Sequence, residues 1–256
     1  MKMTVFGSGT SQGVPMIGCS CAVCRSGDPR NRRLRPCLHI LTDDGFSILV
    51  DTPPEFRIAA IERRLARVDA VLFTHSHADH IFGLDDLRSY NWMQKSPIPL
   101  YAEPEVLGDL KRVFQYVWVA TQAGGGKPQL TLEPLAPGRP ITLGGLRIEP
   151  LRVFHGALPI LAYVFGEKLA YVTDVSEIPP ETAQRLRGID TLLLDAVRRQ
   201  PHPTHFHLEK AIEVAQELGA RRTFFVHLSH DYDHAETERE LPEGIRLAFD
   251  GMELEF

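Results

Sequence analysis

The sequence predicts an α/β (α+β) fold, in which short apolar strands alternate with amphipathic helices. Short apolar runs bounded by turn residues, such as 68–73 and 189–194, are typical of buried strands. Apolar residues at helical spacing between Leu208 and Leu218, closed by Gly219, are typical of a helix that packs on a sheet. Several of the strands are followed directly by histidine or aspartate. Elements in this order favour sheets covered by helices.

In the first half of the chain, turn chemistry and periodicity locate the elements. The Thr-Asp-Asp-Gly stretch at 42–45 predicts a hairpin turn. Proline at the start and apolar residues at helical spacing predict a helix over 53–67. We therefore expect strands at 3–6, 37–41, 46–51, 68–73 and 98–102, and helices at 53–67, 83–90 and 105–117.

The second half is richer in strands, with predicted helices at 182–186 and 208–218. The glycine run at 124–126, followed by Lys127 and Pro128, indicates a linker. We expect one domain over 1–256, built from two pseudo-symmetric halves that meet near 120–130. The predicted strands of the second half are 129–133, 141–143, 146–154, 160–165, 169–173, 189–194 and 222–226.

The bulk composition is that of a globular protein. The chain has 256 residues, 43% hydrophobic and 24% charged. No apolar run approaches the roughly 20 residues of a membrane span, and the first residues are too short for a signal peptide. We expect a cytoplasmic protein without membrane contact. The net charge of −5 argues against a nucleic-acid partner, and a homodimer stays open.

A histidine-rich motif follows the apolar run 68–73. His75, His77, Asp79 and His80 lie within six residues. If the backbone stays extended, His75 and His77 share a face, because side chains alternate along a strand. Imidazole and carboxylate are ligands for zinc, manganese and iron, and desolvating four such groups without a cation is costly. The motif therefore predicts a metal site.

Three further residues repeat this placement. His155, Asp174 and His227 each stand just after an apolar strand, as His75 does. Each alone would be read as an ordinary histidine or aspartate. Together with residues 75–80 they indicate one site at the shared edge of packed sheets.

A second metal site is predicted by the cysteines. Cys19, Cys21 and Cys24 have the spacing C-x-C-x2-C, which can wrap one tetrahedral ion. The fourth ligand is either Cys37 or a distant histidine. A closed shell of four ligands leaves no position for substrate, so we expect a structural zinc.

Two other motifs have two readings each. The glycine loop at 7–13 could cradle phosphate or form a tight turn. The four arginines from Arg30 to Arg35 could attract phosphate or nucleic acid, or could pair with nearby acids in a solvated loop.

The HxHxDH motif resembles the metallo-β-lactamase superfamily. This resemblance implies a four-layer αββα sandwich with a two-metal site between the sheets. The stretch GSGTSQGVP at 7–15, and C-x-C-x2-C together with His230, are similar to the phosphonate-pathway phosphodiesterase family. That likeness implies that His230 completes the structural zinc site.

The resemblance also implies roles for the site residues. The two active-site ions, zinc or manganese, would lie about 3.5 Å apart with a bridging hydroxide. Asp51 would brace the ligands, and Asp79 counts as both ligand and catalytic residue. Implied ligands are His75, His77 and His155 for one ion, Asp79, His80 and His227 for the other, Asp174 as the bridge, and Cys19, Cys21, Cys24 and His230 for the structural zinc.

A last histidine cluster lies at residues 202–207. In superfamily phosphodiesterases a histidine at this place contacts phosphate and can protonate the leaving oxygen. Such a residue suits a general acid with a pKa near the working pH. We assign this role to His205 ahead of His202; the alternative is a capping loop with surface histidines.

The resemblance implies a metal-dependent phosphodiesterase. Its expected substrate is a small, cyclic phosphodiester, attacked by the hydroxide that bridges two metals. Alternatives are a tRNA 3′-processing endonuclease, a non-catalytic cofactor-biosynthesis protein of the same fold and, with less support, a lactamase or thioesterase.

Overall fold

The computed structural model describes residues 1–120 and 126–256, and its strands follow most of the apolar runs named above. Strands after residue 240 were not predicted. The strands are β1 Lys2–Gly7, β2 Cys37–Leu41, β3 Ser47–Val50, β4 Ala70–Leu72, β5 Ile98–Ala102, β6 Leu130–Pro134, β7 Ile141–Leu143, β8 Leu146–His155, β9 Leu158–Phe165, β10 Leu169–Val172, β11 Thr191–Asp195, β12 Arg222–Val226, β13 Ile245–Leu247 and β14 Glu253–Glu255.

The helices are shorter than predicted in the first half. The expected helix over 53–67 ends early, because Arg64 takes a left-handed conformation (φ 51°). The expected helix over 105–117 divides at Phe114. No helix in the described residues is long and apolar enough to cross a bilayer. The helices are α1 Phe56–Glu62, α2 Ala78–Ile81, α3 Arg88–Gln94, α4 Pro104–Val113, α5 Gln115–Trp118, α6 Pro180–Leu186, α7 Leu208–Leu218 and α8 His234–Glu238.

The strands form two mixed sheets of seven strands each. The first has the order β14-β1-β2-β3-β4-β5-β6, and the second β13-β12-β11-β10-β9-β8-β7. The chain passes from one sheet to the other between β6 and β7, and the last strand returns to pair with β1. Because β3, β4 and β5 are parallel, as are β10, β11 and β12, their carboxyl ends lie at common edges.

Three apolar clusters fill the spaces between layers. One contains residues from both sheets, such as Ile48 and Tyr163, and lies between them. A second packs α1, α3 and α4 on the first sheet, and a third packs α6 and α7 on the second. The architecture is therefore the expected four-layer αββα sandwich.

Some local expectations differ from the structure. Aromatic side chains such as Trp92 and Phe114 are expected to pack in the core or to line a pocket. Trp92 is 82% exposed and lines a surface cavity, whereas Phe114 is buried. Trp92 lies on the outer side of a short helix that has no layer beyond it. The predicted linker falls partly on residues 121–125, outside the described residues, so the single domain with pseudo-symmetric halves stays a prediction.

Candidate metal centre

Three strand ends carry residues with left-handed backbone. Asp51 follows β3, Asp174 follows β10 and His227 follows β12, with φ of 64°, 57° and 60°. Such conformations are costly for residues other than glycine and persist where surrounding contacts hold them. Here they turn three polar side chains out of the sheets at one edge of the sandwich.

Asp51 organises the motif that follows β4. Its carboxylate accepts hydrogen bonds from the Thr74 backbone N–H and hydroxyl, both at 2.9 Å, and from His80 Nδ1 at 2.8 Å. All three residues are buried. Asp51 therefore fixes the orientation of the His80 ring and leaves its Nε2 free.

The donor atoms at this edge fall into two groups. His75, His77 and His155 offer ring nitrogens that lie within 4.8 Å of one another. The donor atoms of the second group also lie within 4.8 Å of one another, and its members are Asp79, His80, Asp174 and His227. The Asp174 carboxylate lies within the same distance of donor atoms on His155 and His205. Asp174 is therefore close to both groups.

Several of these atoms are buried without a hydrogen-bond partner. They are Nε2 of His75, Nε2 of His80 and Nδ1 of His227. Unpaired polar atoms in the interior cost free energy and are rare in native proteins. Cations at the two groups would satisfy all three, so the residues fit two metal ions.

In His75 and His155 one ring nitrogen is already paired. His155 Nδ1 donates to the Thr204 carbonyl at 2.7 Å, and His75 Nδ1 donates to the Thr74 hydroxyl at 3.0 Å. Metal-binding histidines are usually oriented by such contacts through the second nitrogen. The pairing presents the remaining nitrogens to one shared space.

His205 lies beside both groups and pairs with Asp195. Its Nδ1 donates to Asp195 Oδ2 at 2.8 Å, which leaves Nε2 facing the site. Its ring centroid is 4.5 Å from that of His155 and 4.9 Å from that of His227. His202 lies farther out, in contact with His205. Asp195 was not among the predicted site residues, although it ends the apolar strand β11, and a position at a strand end is the signal that pointed to Asp174.

The Asp195–His205 pair has shifted protonation equilibria. Burial raises the pKa of Asp195 to about 7. Burial also opposes a charged His205 ring, but the Asp195 carboxylate outweighs this and raises the pKa of His205. The pair can therefore hold a proton near neutral pH.

The cysteine motif meets His230 as the resemblance implied. Donor atoms of Cys19, Cys21, Cys24 and His230 lie within 4.8 Å of one another. The Cys24 N–H donates to Cys21 Sγ and lowers the pKa of Cys21 to about 6, whereas burial raises that of Cys24 to about 11. Cys37 lies in the core of the first sheet, where its thiol donates to the Asp51 carbonyl. The four donors fit a structural zinc.

The arginine cluster divides between two environments. Arg30 pairs with Asp28 and Arg35 with Glu55, so these two follow the solvated-loop reading. Arg33 is buried and donates to the carbonyls of Ser229 and Tyr232, at 2.9 and 2.8 Å. It thus holds the segment that carries His230, a role that sequence reasoning missed.

The glycine loop at 7–13 makes a tight turn beside this segment. Gly9 N–H donates to the Leu34 carbonyl, and a Cβ on Gly9 would lie 2.8 Å from Arg33. The loop's Thr10–Gln12 portion lines a cavity of about 340 Å³ together with His202 and His205. The glycines permit close packing here.

Comparison with known proteins identifies the fold family. Residues 39–228 match the family model of the β-lactamase superfamily domain. The solved structure of a diphosphatase from the PhnP family is 44% identical, with a TM-score of 0.92, and the match covers 100% of this chain and 97% of that one.

The chain belongs to the metallo-β-lactamase superfamily and, within it, to the PhnP family. Its donor groups could hold metal ions.

Two further relatives have different names. A Porphyromonas gingivalis protein named octanoyltransferase is 40% identical over 99% of this chain, but the chain spans only 51% of that protein. Zinc-bound PqqB from Methylobacterium extorquens has a TM-score of 0.81 with full coverage of both chains, at 21% identity. The latter likeness shows the fold alone.

Proposed function

We propose that the protein is a metal-dependent phosphodiesterase that acts on a small phosphodiester, with a cyclic diester as the expected substrate. One arrangement carries the proposal: two groups of metal donors share Asp174, and His205 faces the same space from the Asp195 side. We assign His75, His77 and His155 to one ion, Asp79, His80 and His227 to the other, and Asp174 to both.

The ions and the chain have separate tasks. Two divalent cations, when bound, supply a water of lowered pKa and positive charge beside the phosphoryl oxygens. Asp51 and the Thr204 carbonyl keep the donor rings in position. His205 holds a proton at Nε2 and delivers it to the leaving oxygen, while Asp195 fixes the ring through Nδ1.

A second candidate is hydrolysis of a diphosphate bond. It is favoured by the PhnP-family relative, which is a diphosphatase and is 44% identical. Both reactions would use the same donor residues, because in both the bound cations would supply positive charge to a phosphoryl group. They differ in the leaving group, which is an alcohol in one and a phosphate in the other.

The test is a hydrolysis panel with metal-reconstituted protein. The panel contains cyclic phosphodiesters, linear phosphodiesters and diphosphates, each compared by kcat/KM. We expect cyclic diesters to be cleaved fastest. Preference for diphosphates would support the second candidate, and no cleavage of any member at full metal content would remove the phosphodiesterase proposal.

A further inference from the structure

A second cavity, of about 340 Å³, lies on the outer face of the first sheet. Its floor is formed where β1 and β2 pair, with Thr4 opposite His39 and Lys2 opposite Leu41. Ser47, at the start of β3, also lines it. Asp51 follows the other end of that strand, roughly 13 Å away at the rise of an extended chain. The cavity is therefore separate from the metal centre.

Arg63 faces this cavity with unused hydrogen-bonding capacity. Its guanidinium lies 5.6 Å from the centroid of the Phe6 ring, and its side chain is only 16% exposed. Its Nε is buried without a hydrogen-bond partner, and its ion pair with Glu62 is long, at 3.3 Å. A partly buried guanidinium with an unpaired N–H is costly unless an acceptor reaches it.

Arg64 stands beside it in a strained conformation. Its φ of 51° is the left-handed region that follows a helix end, where glycine is preferred. Within the described part of the chain, no ion pair or side-chain hydrogen bond holds its guanidinium. The Arg64 side chain is exposed, so its guanidinium is accessible to an anion that enters the cavity.

Two more cations, one carboxylate and an apolar surface also line the cavity, and the carboxylate is that of Glu253. Lys2 pairs with Glu253 and Arg67 with Asp69, so these two are partly neutralised. Leu41 and Leu65 supply apolar surface beside the arginines. Two guanidiniums with free donors, next to an ammonium group, suit an anion with several acceptor oxygens better than a single carboxylate.

We propose that this cavity is a second binding site, for a small organic phosphate. Its phosphate pairs with Arg63 and Arg64, and its apolar part packs on Leu41 and Leu65. The volume lies within the usual range for small-molecule sites. This site does not depend on the reaction proposed for the metal centre.

The probe is phenyl phosphate, titrated calorimetrically into the zinc-loaded protein. We expect phenyl phosphate to bind at the metal centre as well. Binding at the second site is therefore identified as the binding event that the arginine variants weaken. We expect two events in the wild type, and an event at least tenfold weaker in Arg63→Gln and Arg64→Gly. Arg57→Gln is the matched control, because Arg57 lies on α1 and lines the neighbouring cavity, which shares Arg64 and Leu65 with the proposed site but not Arg63.

Arg64→Gly separates loss of binding from loss of folding. Glycine removes the strain at φ 51°, so its Tm should equal or exceed that of the wild type. Identical titrations for wild type, Arg63→Gln and Arg64→Gly would overturn the proposal. Equal weakening by Arg57→Gln would overturn it as well. If inorganic phosphate bound as tightly as phenyl phosphate, the proposal of an organic ligand that packs on Leu41 and Leu65 would be wrong.

Discussion

The hydrogen bond between His205 Nδ1 and Asp195 decides what the His205 ring can do. It orients Nε2 toward the donor groups and raises the pKa of the imidazole. The same ring lies close to His155 and Asp174, so its geometry alone also allows contact with a cation. Substitution distinguishes a proton donor from a metal ligand.

His205→Ala should lower kcat by about 10²- to 10⁴-fold while the bound metal is retained. The physical reason is loss of the proton for the leaving oxygen. His202→Ala is the control, since His202 lies farther out, and it should have a smaller effect. Metal analysis and steady-state kinetics measure both. Near-normal turnover of His205→Ala would remove this residue from the mechanism.

His39 should make the fold sensitive to acid. It is a buried sheet residue whose Nε2 donates to Ser47 Oγ, and burial, with the charge of Lys2, lowers its pKa to about 4. The unfolded chain therefore takes up a proton first. The contribution of neutral His39 is complete above pH 6.5 and is lost as the pH falls toward 4.

At pH 5 the lowered pKa of His39 should reduce the free energy of unfolding by about 2 kcal/mol relative to pH 7. Urea unfolding of the wild type and of His39→Gln at both pH values measures it. The variant should lose about 2 kcal/mol less than the wild type. Equal losses would show that His39 does not titrate in this range.

At the level of elements, the segment after β12 connects two sites. His227 belongs to the metal donors and His230 to the cysteine group, three residues apart. Arg33 holds the carbonyls of Ser229 and Tyr232 from the N-terminal loop. A buried guanidinium therefore holds this segment, and a zinc ion at the cysteine group would hold it as well.

Arg33→Met should lower the free energy of unfolding by about 3 kcal/mol, because two buried carbonyls lose their donors. Chemical denaturation measures this. Arg32→Met is the control, since Arg32 is exposed, and it should stay within about 0.5 kcal/mol of the wild type. If both variants are equally stable, the contacts of Arg33 do not stabilise the fold.

Cys24→Ser should release one zinc per chain. It should also loosen the active site indirectly, because the zinc would no longer tie the N-terminal cysteine loop to the segment that carries His227 and His230. Cys37→Ala is the control; Cys37 lies in the core, outside the cysteine group, and its loss should leave metal content unchanged. Elemental analysis and activity measure the outcome. If the Cys24→Ser protein kept its full metal content and full activity, the structural zinc would not be what holds this segment in place.

At the scale of the whole molecule, the predicted ions connect distant parts of the chain. The active-site donors run from His75 to His227 and come from both sheets. Cations that bind these donors only when they are gathered stabilise the folded state by mass action. Metal removal should therefore affect the entire sandwich.

We expect three ions per chain, and a lower Tm after chelation that is restored by returning zinc. Mass spectrometry under native conditions and calorimetry measure both quantities. One ion per chain would instead favour the non-catalytic reading of the fold. An unchanged Tm after complete chelation would mean that the ions add nothing to folding.

The sequence by itself determined most of the strands and the polar residues that follow several of them. Apolar runs with turn residues at their ends predict β2, β5 and β12 closely, because burial and backbone geometry leave local marks. The HxHxDH and C-x-C-x2-C motifs could also be recognised from the sequence, because their predicted ligands lie within a few residues of one another.

Only the tertiary structure decided how distant groups meet. Arg33 meets residues 229–232 through contacts between segments far apart in the chain, and Asp195 meets His205 across the loop between β11 and α7. Local spacing carries no signal for such contacts, because they follow from the packing of two sheets. The left-handed turns at Asp51, Asp174 and His227 likewise exist because the surrounding fold stabilises backbone that these residues would otherwise avoid.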